Sequence, residues 1–189
     1  MVFIVQLLIY PLLLLGAGHT GATEVYVAST GVVNFSSDAP LELIRASSRN
    51  LRGALDLGKN TFAFSLPVQT FEGFNSPLQR EHFNEKFMES DIYPNATFHG
   101  KIIETIDPGT KGEMMVRAKG NLTIHGVTRE RIIRSKMTIS EGKIVIESQF
   151  SVLLADHSIT IPKIVSQKIA EEIVVTLNVE MIEKKASER

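Results

Sequence analysis

The chain has no cysteine. That excludes disulfide staples and the acyl anchor of a bacterial lipoprotein, so an exported form must be held together by its core alone. Positive charge is not in excess either: 20 Lys and Arg stand against 21 Asp and Glu, for a formal net charge of −1. Nucleic-acid capture needs a concentrated basic surface, and that class is excluded. A glycine-rich phosphate cradle ahead of a helix is missing, which leaves nucleotide chemistry without support. His82, His99, His125 and His157 show neither His-x-His nor His-x₃-His spacing, so no metal site is expected. Asp156-His157-Ser158 names the members of a catalytic triad, but consecutive residues of an extended chain face opposite ways. No catalytic set and no cofactor is therefore expected, and His125, just before Gly126, is expected to hydrogen-bond within its own turn.

A membrane-spanning run is also lacking. The longest apolar stretch, Val2 to Leu15, covers about fourteen residues, short of the ~20 that cross a bilayer. It is followed by the small residues Gly16 to Ala22, the pattern of a secretory signal cleaved after Ala22. The expected organisation is a signal over 1–22 and a single domain over 23–189, exported to the periplasm of a two-membrane bacterium. With 43% hydrophobic and 22% charged side chains over its 189 residues, the chain is long enough to bury a sizeable core in that domain.

Beyond Thr23 the dominant pattern is period-two alternation, broken at short intervals by Gly, Asn, Asp and Pro. Strands are expected at Glu24–Ser29, Gly31–Ser37, Leu41–Ser47, Arg52–Asp56, Thr61–Gln69, Ala96–Glu104, Glu113–Ile124, Thr128–Ser140, Lys143–Ala155 and Ile173–Ile182. Several are longer than usual, which suits a tilted, closed antiparallel barrel that leaves no exposed edge. One helix interrupts them: Ser76 caps it, Pro77 takes its first position, Gln79 completes a capping box, and it runs to about Glu89. A shorter helical turn starts at Pro162. Arg129, Glu130, Arg131, Arg134 and Lys136 mix signs along one strand and read as a solvated face.

Three segments carry a resemblance. Phe71-Glu72-Gly73-Phe74 precedes the helix; Tyr93-Pro94-Asn95-Ala96-Thr97-Phe98-His99-Gly100 enters a strand; and Gly120-Asn121-Leu122-Thr123-Ile124-His125-Gly126-Val127-Thr128 reads strand, tight turn, strand. In this order they resemble the YceI-like family of lipid-binding barrels. The resemblance implies an all-β, lipocalin-like antiparallel barrel with one helix between strands, a short C-terminal helical turn, and a long apolar tunnel for an isoprenoid chain or other amphiphile. Leu154 to Pro162 departs from the family, standing where some relatives carry an arginine-containing turn.

Inward parity then nominates a tunnel lining. It comprises Phe35, Phe62, Phe64, Phe98, Ile102, Met114, Val116, Leu122, Ile146, Phe150 and Val152, joined by Leu66, Ile144 and Leu154, with Phe74, Phe83 and Phe87 closing one mouth. Ala96, Gly100, Ala118, Gly120 and Ser148 share that parity and would leave space between the large residues. The expected function is non-enzymatic binding, storage or transport of an isoprenoid-like lipid. Transient membrane contact and a homodimer that buries the rim complete the expected partners. The alternative is an exported interaction module with a solid core and loop-borne binding.

Overall fold

The structure, a computed structural model, describes residues 25–184 apart from residue 108. The expected signal over 1–22 and its cleavage point lie outside the described residues. Nine strands follow: β1 (Val25–Asp38), β2 (Leu43–Ser48), β3 (Arg52–Asp56), β4 (Thr61–Pro67), β5 (Asn95–Ile102), β6 (Gly112–Ile124), β7 (Val127–Ser140), β8 (Lys143–Leu153) and β9 (Glu172–Glu183). Every pairing is antiparallel, and the sheet closes because β1 also pairs with β9, from Tyr26↔Glu183 to Ser36↔Val174. β2 and β3 lie end to end along the other edge of β1, so the nine strands fill eight places round the ring. The all-β, lipocalin-like barrel expected from the sequence is the observed fold.

The two strands expected at Glu24–Ser29 and Gly31–Ser37 are one. The ladder to β9 shifts register between Ala28 and Thr30, leaving Ser29 as an extra residue whose hydroxyl donates to the Glu180 carbonyl at 3.1 Å. Such a bulge bends a strand without ending its pairing. Strand ends elsewhere move by a residue or two where the chain turns. β4 stops at Pro67 before a 3₁₀ turn at Val68–Thr70, and β8 stops at Leu153 before another at Leu154–His157.

Ser76 caps α1 (Pro77–His82), accepting the Gln79 N–H at 3.2 Å. The α geometry lasts only to His82; Phe83–Phe87 forms a wider π turn in which Met88 N–H donates to the Phe83 carbonyl at 2.9 Å. Glu89, with φ +42°, then reverses the chain, and Ser90 N–H reaches back to the Asn84 carbonyl at 2.8 Å. The change of pitch brings Phe83, Phe87 and Met88 together toward the barrel interior. The turn expected after Pro162 is a single 3₁₀ turn, Lys163–Val165.

Between Ile124 and Val127, which pair, only His125 and Gly126 make the loop, with φ of +50° and +70°. That is the handedness a two-residue hairpin needs to follow the twist of its strands. Gly126 is required twice over, because a β-carbon there would run into the ring of Tyr93. Gly100 and Gly120 face each other across β5 and β6, and a β-carbon on either would meet the opposing backbone. Neither borders the interior space that the sequence suggested for them; their role is to let two strands approach closely.

The two ends of the barrel differ. At one, Tyr26, Leu57, Ile106, Ile139, Ile144 and Met181 pack into a closed core. At the other, α1 and the π turn sit across the strands. We expect Gly126→Ala to lower the unfolding free energy by about 1–3 kcal/mol in chemical denaturation, since it adds left-handed strain to a collision with Tyr93.

Candidate functional site

A cavity of about 560 Å³ fills the barrel from the helix-covered end to the edge of the closed core. Residues of all nine strands border it, mostly in the alternation the pleat demands, with Ser65 and Thr97 as exceptions in β4 and β5. Of the residues nominated from the sequence, Phe35, Phe62, Phe64, Phe74, Phe83, Phe87, Phe98, Ile102, Val116, Leu122, Ile146, Phe150 and Val152 border this space; Leu66 and Leu154 do too. Met114 and Ile144 do not. Met114 packs against the closed core and Ile144 is fully buried within it, because inward parity leads to solid packing wherever the barrel is sealed.

Aromatic rings gather at two levels. Near the helix, Phe35 stacks on Phe83 with ring centres 5.4 Å apart and meets Phe71 and Phe74 edge-on at 5.1 and 5.9 Å. Deeper, Phe62 lies 4.8 Å from Phe98 and 6.1 Å from Phe64. Small side chains separate the large ones: Ala96, Ala118, Ser135 and Ser148 all border the cavity, and this is where the space comes from. The mouth lies at the helix end, where the exposed residues Leu78, His82 and Lys168 also border it. Two of its polar residues are tied down: Glu42 accepts from Gln79 at 2.9 Å, and Ser37 accepts the Ala170 N–H at 2.8 Å.

The lining supplied by β7 and β9 was missing from the sequence nomination. Ile133, Ser135 and Met137 border the cavity from β7, as do Ile173, Val175 and Leu177 from β9. In β7 the charges of Arg134 and Lys136 drew the strand toward a solvated reading. The alternation Ile133-x-Ser135-x-Met137-x-Ile139 was the available signal, since Arg134 and Lys136 occupy the other face.

His125 does not bond within its turn. Nε2 lies 2.7 Å from the Glu89 carboxylate and Nδ1 lies 3.1 Å from the His157 carbonyl, both within hydrogen-bond distance, while Tyr93 lies edge-on to the ring at 4.8 Å. The hairpin loop thereby ties the end of the helical segment to the turn after β8. His157, fully buried, donates from Nδ1 to the Val127 carbonyl at 3.0 Å, and its Nε2 has no partner among the described residues. Asp156-His157-Ser158 therefore lies on a turn rather than in a strand, and Ser158 does not engage the His157 ring.

Among the described residues, two titratable groups have displaced acidity. Burial pushes the Glu104 carboxyl up, but hydrogen bonds from the backbone N–H and guanidinium of Arg117 outweigh it and hold it below the usual carboxylate range. The hydrogen bond to Glu147, with the charge of Glu113, holds Lys136 above the usual lysine range. Neither borders the cavity.

A model of the YceI-like domain matches residues 26–181. The chain belongs to the YceI-like domain family. A polyisoprenoid binding domain from Saccharophagus degradans implicated in plant cell wall breakdown shares its fold at 15% identity and a TM-score of 0.71, covering 86% of this chain and all of that one. BcnA of Burkholderia cenocepacia follows at 14% identity and a TM-score of 0.65, over 79% of this chain and 95% of that one. A YCEI protein of Campylobacter jejuni gives 17% identity and a TM-score of 0.55, over 70% and 78%. No curated protein sequence matches the chain. The Gly120–Thr128 stretch that resembles the YceI-like pattern combines the close β5–β6 approach, two lining residues in Leu122 and Ile124, and the hairpin loop.

If the space is open, a side chain grown into it displaces nothing. We expect Ala118→Leu to leave the thermal midpoint of unfolding unchanged or raised, whereas overpacking a filled core costs about 1–3 kcal/mol. Met137→Ala, at a tightly packed position bordering the same cavity, should instead destabilise by about 2–5 kcal/mol.

Proposed function

We propose that this YceI-like chain binds an isoprenoid-like lipid, or a comparable long-chain amphiphile, in the barrel cavity and serves as a non-enzymatic store or carrier for it in the periplasm. The observation that carries the reading is the cavity itself: apolar along its length, open at the helix end and closed at the other. At ~30 Å³ for each water-sized group, 560 Å³ accommodates roughly eighteen such groups, or about three to four isoprene units. Burial at ~0.8 kcal/mol per CH₂ contributes about 3–4 kcal/mol per unit before ordering costs, enough for useful affinity from two or three units.

The lining favours a hydrocarbon chain over water. Its aromatic and aliphatic side chains offer few partners for hydrogen bonds, and a buried water needs two to four. The space argues against the solid-core barrel of the alternative reading, an interaction module with loop-borne binding. The polyisoprenoid binding named for the Saccharophagus degradans domain, which has the same fold, supports the ligand class. The apolar run followed by small residues before Thr23 supports export.

Native mass spectrometry of protein purified without detergent, followed by organic extraction, tests the reading. A co-purifying lipid, or stoichiometric uptake of a prenyl quinone or polyprenol, is expected. The protein folded but empty, and refusing both probes, would overturn it. Ala118→Phe should remain folded and reduce uptake at least tenfold by filling the cavity.

A further inference from the structure

Ser135 of β7 and Ser148 of β8 face each other inside the barrel with their hydroxyl oxygens 2.6 Å apart. Both border the cavity, and Ser135 is only 5% exposed. Their neighbours on the same faces, Ile133, Met137, Ile146 and Phe150, are apolar and border it too. Two hydroxyls carry two hydrogens, and one bond between them uses one. Among the described residues no acceptor is recorded for the second hydrogen. The pair therefore keeps a spare donor, together with lone pairs, in surroundings that otherwise offer little to a polar atom.

The pair stands at the last rung of the β7–β8 ladder, beyond which these strands part and Arg131 bridges them by donating to the Ser151 carbonyl at 2.7 Å. Clasping that rung accounts for the bond between the two serines but not for its chemistry. Alanines would fill the same inward positions without bringing hydroxyls into an apolar space, where an unmatched one is destabilising. A comparable hydroxyl pair, Thr123 with Thr128 at 2.8 Å, is exposed, where solvent is available to its remaining hydrogen.

We propose that Ser135 and Ser148 form a polar subsite within the cavity that donates a hydrogen bond to an oxygen atom of the bound lipid. The preferred ligand is then an oxygen-bearing chain, such as a quinone, ketone, amide or alcohol, whose oxygen enters the barrel, rather than a pure hydrocarbon. This rests on the lipid-binding reading and sharpens it: apolar burial supplies affinity, and the serine pair supplies selection. Either serine alone still presents a hydroxyl that can donate. Selection is lost only when both are removed.

The test compares two probes, a benzoquinone with a short prenyl chain and the benzene carrying the same chain without ring oxygens. Binding is measured for the full chain and for the Ser135→Ala, Ser148→Ala and doubly substituted forms. The unsubstituted protein is expected to prefer the quinone by roughly five- to tenfold, each single substitution to keep most of that preference, and the double substitution to bring the ratio close to one. Infrared spectroscopy gives a second readout: the carbonyl stretch of bound quinone should lie below its value in alkane solution and return to it in the double variant. Equal binding of both probes by the unsubstituted protein overturns the subsite while leaving lipid binding intact. So does a double variant that loses only stability and keeps the ratio. An unshifted carbonyl stretch in the unsubstituted protein overturns it even if the double variant fails to fold. Refusal of both probes overturns the lipid-binding reading, and the subsite falls with it.

Discussion

The ladder between β1 and β9 is the constraint on which the rest depends. These strands come from opposite ends of the described chain, and their pairing turns an open sheet with two exposed edges into a ring. Only in a ring do the inward faces of all strands look at one another, so that Val33 and Phe35 of β1 share a cavity with Val175 and Leu177 of β9. The Ser29 bulge lets β1 bend through the closure while its pairing continues on either side. β1 also holds β2 and β3 along one edge, so a single long strand organises three others.

Closure leaves the two ends to be resolved separately, and they are resolved in opposite ways. At one end large aliphatic side chains meet and exclude space. At the other, the chain between β4 and β5 folds back as α1 and a π turn, placing Phe74, Phe83, Phe87 and Met88 around the opening. That cover is held from outside the barrel as well as by its own packing. His125, raised on the hairpin loop, grips Glu89 on one side and the turn bearing His157 on the other. Glu89 adopts a left-handed backbone that a residue with a β-carbon seldom takes, and its carboxylate is where the hairpin holds it.

Much of this was legible residue by residue. Alternation marked every strand, including Arg52–Asp56 to the residue, and Ser76 announced the helix by a cap that the structure retains. Strand length and then the YceI-like motifs pointed to a closed barrel where alternation alone would also have allowed a sandwich. Other features were hidden because they belong to pairs of distant segments. Gly100 and Gly120 look like space-makers singly and prove to be a facing pair that lets two backbones approach. His125 looks like a turn former until Glu89 and His157, more than thirty positions away in opposite directions, arrive beside it. β7 looked solvated because its charges are conspicuous and its inward serine is not.

The sequence by itself determined which residues of each strand share a face, because side-chain direction in extended chain is a local matter with a period of two. It also determined the hairpin loop, where Gly126 meets a left-handed requirement that few other residues tolerate. Tertiary structure alone decided which inward faces enclose space and which pack solid. Met114 and Val116 have the same parity on the same strand, yet only Val116 borders the cavity. Whether a void remains depends on the summed volume of side chains arriving from strands all round the ring and on where the ends are sealed. That sum is carried by no single stretch of chain.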